Sequence, residues 1–135
     1  MIWGYDGPGY GPFRVNNFMS KANINLIQAA FDHIKSRNRE SAFNRLKGIK
    51  GLGVSFISKI MYFAGKANKE LEYPLTFDIQ VANALVSLVA DGQLKGMVKT
   101  SPINTFEAYA AYNTQMHRWA RELDIQADQL EFFIF

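Results

Sequence analysis

The 135-residue chain contains no cysteine. Disulfides, thiolate zinc sites and cysteine-held iron–sulfur clusters are therefore excluded, and a cytoplasmic location is the default expectation. No apolar run approaches ~18 residues, so neither a transmembrane helix nor a membrane partner is expected. The opening MIWGYDGPGYGPF lacks the basic stretch and apolar core of a secretory leader. Histidine is scarce, and His33 and His117 have no partner histidine one helical turn away, so no zinc site is expected. His117, within MHRWA, reads as packed or hydrogen-bonded beside Trp119. No alternating strand pattern stands out and no unit repeats with a period of roughly 20–50 residues. The expected fold is all-α, a single compact helical domain over 1–135.

Acidic residues are nearly missing from one segment. Between Lys35 and Lys69 lie nine basic residues and one acid, Glu40, a net of +8, although the whole chain carries only +3. The remainder holds 6 basic and 11 acidic residues, a net of −5. Such a block suits a polyanion such as nucleic acid, or is a solvated basic face.

What is present is a series of helical patterns. Residues 1–12 hold four glycines and two prolines among Trp3, Tyr5 and Tyr10, which reads as an irregular aromatic loop held against something. A short helix is expected over about 13–20. Ile24, Ile27, Phe31 and Ile34 then form an apolar stripe, followed by a helix over about 40–47 with Ala42, Phe43 and Leu46 inward. The helix after Gly53 is the clearest, with Ile57, Ile60, Met61 and Ala64 on its buried side and Ser55, Lys59, Tyr62 and Lys66 on the polar one. Gly65 and Asn68 mark its end. Asp78 stands as an N-cap, before a helix with Val81, Ala82, Leu85, Val86 and Val89 inside. A long helix over about 104–123 would bury Phe106, Tyr109, Ala110, Met116, Trp119, Ala120 and Leu123. A last one ends in EFFIF.

The stretch Gly48-Ile-Lys-Gly-Leu-Gly53 joins two of these helices. Glycine permits positive φ and a close approach of phosphate to backbone. The helix that follows offers its N-terminal N–H groups to an anion. The pattern reads as a phosphate-binding hairpin or as a plain tight turn.

IKGLG, an amphipathic helix and then YPLTFDIQVANAL together resemble the helix-hairpin-helix, Gly/Pro…Asp superfamily of DNA glycosylases. Lys50 stands where that hairpin usually has proline. FISKIMYFA, the opening WGYDGPGYGPFRV and the close MHRWARELDIQADQLEFFIF are similar to the 8-oxoguanine glycosylase-like branch. The resemblance implies a helix-hairpin-helix over 40–67, and C-terminal helices with a base pocket over 78–135. It implies excision of a modified, 8-oxoguanine-like base from DNA. Lys59 would attack C1′ and form a Schiff base that can proceed to strand cleavage, an AP lyase step, and Asp78 would stabilise charge on the sugar and help to deprotonate the amine. Attack requires the neutral amine.

Many superfamily members place the lysine where Ser55 stands. Ser55 and Lys59 share a helix face, so both can point into one cleft. If Lys59 does not reach C1′, activated water would act and Asp78 alone would be essential. The resemblance further implies phosphate contacts from Gly48, Lys50, Gly51, Gly53 and Gln80. It calls for no cofactor beyond a monovalent cation at the hairpin. Glu131 and Phe135 have the four-residue spacing of the branch's base-reading glutamine and stacking phenylalanine; alternatively Phe132, Phe133 and Phe135 finish the core. Tyr10 is a candidate wedge for the gap left by a flipped nucleotide. The residues ahead of the hairpin are too few for the second helical lobe of full-size relatives. The chain would then be a minimal form, a fragment, or one member of a homodimer or of a pair with a partner subunit that completes the cleft. The competing expectations are a non-catalytic DNA-binding module and a subunit of a larger assembly.

Overall fold

The structure, a computed structural model, describes residues 15–88 and 105–134. No strand occurs among them, and the all-α expectation holds. A helical turn over 15–18 precedes α1 (Lys21–Lys35), α2 (Arg39–Lys47), α3 (Val54–Ala67), α4 (Ile79–Leu88), α5 (Phe106–Glu122) and α6 (Ala127–Ile134). Among the described residues no helix is long and apolar enough to cross a membrane.

Local chemistry sets the helix ends. Arg37 takes φ 60°, and Asn38 then accepts from Ser41 N at 3.1 Å to cap α2. Phe43 and Leu46 of α2 are fully buried. Thr105 caps α5 by accepting from Ala108 N at 3.3 Å. α1 packs on both α2 and α3, α5 on α2 and α6, and α4 on α6. At the centre the Phe43 ring stacks on Tyr109 with centroids 5.6 Å apart. Ile57, Met61 and Met116 close around them; burying each such side chain stabilises by roughly 1.5–3 kcal/mol.

Between α2 and α3, the Leu52 N–H donates to Ile49 O at 3.0 Å and closes a four-residue turn. Gly51 sits at its third position with φ 84°, where a Cβ is strained. Ile49 and Leu52 are buried and anchor the turn, while Lys50 and the three hairpin glycines face solvent.

Several inward and outward assignments differ from the periodicity. Phe31 is 38% exposed and Leu123 59%, although both fall on apolar stripes. Phe132 and Phe133 are exposed as well, so they do not finish the core. On α3 the buried stripe is Ile57, Ser58, Met61, Ala64 and Gly65, with Ile60 half-buried. Gly65 was expected to mark the helix end, and Ser58 belongs to neither of the stripes expected from sequence. Both are inside because a non-helical segment crosses α3 at their level.

Candidate active site

That segment, residues 73–77, is extended and neither helical nor paired in a sheet. Its backbone polar groups still need partners where they are buried. Six side chains supply them. The Tyr73 carbonyl accepts from His117 Nε2 at 2.8 Å, which fixes the proton on that nitrogen. Leu75 N–H donates to Asn113 Oδ1 at 2.6 Å, and Leu75 O accepts from the Tyr109 hydroxyl at 2.6 Å. Thr76 O accepts from the Tyr112 hydroxyl at 2.9 Å. Thr76 N–H donates to Glu131 Oε2 at 3.3 Å, and the Thr76 hydroxyl bonds the other Glu131 oxygen. Phe77 N–H donates to Ser58 Oγ at 2.9 Å.

Tyr109, Tyr112, Asn113 and His117 lie on successive turns of one α5 face, so a single helix forms most of this socket. Packing closes it on the α3 side. A Cβ on Gly65 would come within 2.5 Å of Pro74 Cδ, so only glycine lets the two backbones approach. Burial pushes the Tyr109 and Tyr112 hydroxyls well above their ordinary range, and both remain protonated donors. Burial also raises Glu131 to about 7, with nearby Asp78 and Asp128 adding repulsion.

The socket delivers Asp78 to the start of α4. Asp78 Oδ1 accepts from Gln80 N at 3.0 Å and from Val81 N at 3.2 Å, the capping geometry expected from sequence. Gln80, two residues on, is exposed. Lys59 follows Ser58 on α3 and is half-buried. Its Nζ stands 5.6 Å from the centroid of the Phe56 ring. Lys59 borders a cavity of about 810 Å³ between α1 and α3. Ser55 is half-buried one turn earlier, and its carbonyl accepts from the Ser58 hydroxyl at 3.0 Å. The α3 turn that carries Lys59 is thus bonded, through Ser58, to the residue before Asp78.

Two of the basic residues are committed to structure. Lys66 Nζ pairs with Asp128 at 2.7 Å and lies 3.9 Å over the Tyr73 ring. Burial alone would raise Asp128, but bonds from Lys66, Tyr73 and Tyr62 outweigh it and hold that carboxyl below its ordinary value. Arg39 pairs with Glu70 at 2.6 Å. Arg45, Lys47 and Lys50 are exposed on α2 and the hairpin.

The residues named from sequence therefore have different surroundings. Gly48, Lys50, Gly51 and Gly53 lie together on the hairpin, and Asp78 and Gln80 at the α4 start. The carboxylate of Glu131 is taken up by Thr76. Tyr10 and Phe135 lie outside the described residues. Sequence reasoning missed Ser58, Tyr112, Asn113 and Glu131 as the groups that hold the Asp78 segment. The only local signal was polar residues recurring at helical spacing on the otherwise apolar face of α5.

No curated protein and no solved structure matches the chain. A family model described as "Putative 8-oxoguanine DNA glycosylase OGG-like protein" matches residues 1–135, and the chain belongs to that family.

Proposed function

We propose that the protein is a DNA glycosylase that excises a modified, 8-oxoguanine-like base, with Lys59 as nucleophile and Asp78 as its electrostatic and proton-transfer partner. The observation that supports this reading is the hydrogen-bonded socket, in which Phe77, the residue before Asp78, is bonded to Ser58, the residue before Lys59. A carboxylate with a catalytic task must be held to within about 0.5 Å. The bonds to Thr76 and Phe77 hold the backbone that leads into Asp78.

In the proposed reaction the Lys59 lone pair forms a bond to C1′ as the glycosidic electrons leave with the base, which takes up a proton. Loss of the amine proton and opening of the sugar ring give the imine, and elimination from it would break the strand. Asp78 stabilises the positive charge that develops on the sugar and accepts the amine proton. The hairpin N–H groups around Gly51 and Gly53, with Lys50 and Gln80, hold the DNA phosphates. Family membership supports the class of reaction; the residue roles are our own assignment.

The test is single-turnover excision from a duplex bearing 8-oxoguanine opposite cytosine. Asp78→Asn keeps the cap acceptor and removes the charge. The reading expects excision by the native chain and a loss of at least about 100-fold in that variant. DNA binding with no excision of any modified base by the native chain would instead establish a non-catalytic binding module.

A further inference from the structure

We propose that the groove between α1 and α3 receives the base flipped out of the duplex. This rests on the glycosylase reading above. C1′ and the base are joined by one bond, so the base must enter a cavity that the nucleophile borders. Lys59 borders this one.

The groove has the chemistry of a base site. Phe56, Ile60 and Phe63 recur at helical spacing along one face of α3, and Phe31 of α1 lines the same cavity. Phe63 is 64% exposed and Phe31 38%, so the folded core leaves both rings partly open. Aromatic faces stack on any nucleobase. Gln28 and Asn68 also line the cavity, beside the charged Asp32 and Lys35. Each amide offers both donors and an acceptor, which suits the mixed edge of an oxidised purine. The volume of about 810 Å³ lies in the range of small-ligand sites, roughly 300–1,000 Å³, and admits a nucleotide.

The other place suggested by sequence is the C-terminal helix. There the Glu131 carboxylate is buried and bonded to Thr76 through both oxygens, so it has no free edge to offer a base.

The experiment compares two readouts on the same duplex. One is excision of 8-oxoguanine. The other is borohydride trapping at an abasic site, where no base needs a pocket. Phe63→Ala is expected to lower the ratio of excision to trapping by about 10- to 100-fold. Phe63→Trp should restore it, a rescue that a packing defect would not show. Should Phe63→Ala lose its thermal unfolding transition, Phe31→Ala carries the same expectation. An unchanged ratio overturns the groove assignment and leaves the glycosylase reading intact. Trapping by the native chain without excision from any base-bearing duplex also overturns it. If the native chain gives neither product, the enzymatic reading fails and this assignment fails with it.

Discussion

The Ser58 hydroxyl accepts the Phe77 N–H at 2.9 Å, and the next residues along the chain are Lys59 and Asp78. One hydrogen bond therefore ties together the two backbones that carry the proposed nucleophile and its carboxylate partner. Ser58 is fully buried and also donates within α3 to the Ser55 carbonyl. Replacing Ser58 by alanine leaves the Phe77 N–H without its acceptor. The expected cost is about 1–3 kcal/mol of stability, read from the denaturant midpoint. Excision should fall further than the loss of folded protein explains. Full excision at reduced stability would mean that this bond does not position the site.

Gly65 tests how closely α3 must approach the Asp78 segment. A methyl group there meets Pro74 at 2.5 Å and Tyr73 at 3.2 Å. Gly65→Ala is expected to destabilise the fold by about 1–3 kcal/mol. Gly53 is the contrasting position, since nothing lies within 4 Å of its Cβ site and its φ is −78°. Gly53→Ala should shift the thermal midpoint much less. Equal shifts would contradict the close packing of 73–74 on α3.

Such contacts explain what could be read from sequence and what could not. The α3 stripe of Ile57, Met61 and Ala64, the Asn68 end of that helix, the Asp78 cap and the glycine turn all follow from local spacing. Each depends on neighbours within a few residues. Ser58 does not, because its partner is 19 positions away. Tyr109 was expected inside as an apolar ring, but its hydroxyl serves Leu75, 34 positions earlier. Glu131 was expected in a base pocket and Asn113 carried no sequence signal; both instead partner the backbone of the 73–77 segment. Phe31 and Leu123 fail in the other direction: helical spacing put them inward, yet the packing of the described helices leaves them open to solvent.

Glu131 gives a pH prediction with a definite sign. Burial, with repulsion from Asp78 and Asp128, raises its carboxyl from 4.5 to about 7. The folded chain therefore holds this proton more tightly than the unfolded chain. The resulting stability is fully present below about 4.5 and is lost as pH rises through about 7. The full swing is on the order of 3 kcal/mol. Glutamine preserves the shape, accepting from Thr76 N and donating to its hydroxyl. Glu131→Gln should therefore gain stability relative to the native chain as pH rises from 5 to 8, by about 1–3 kcal/mol. Parallel stability curves for the two proteins across that window would contradict this.

Lys50 is exposed at the hairpin, in the position proposed to meet a phosphate. Lys50→Ala should weaken binding to duplexes of any sequence alike. It should also reduce the slope of log K against log salt by about 0.9. An unchanged slope, measured by anisotropy titrations at several salt concentrations, would place the phosphate contacts elsewhere on the basic face.

The Lys59 amine is the group proposed to bond C1′. Borohydride reduction in the presence of abasic-site DNA converts a Schiff base into a permanent crosslink. A crosslinked species is expected with the native chain, mapped by peptide mass to Lys59 and absent in Lys59→Gln. A crosslink of equal yield in Lys59→Gln, or one mapped to another residue, would contradict this assignment.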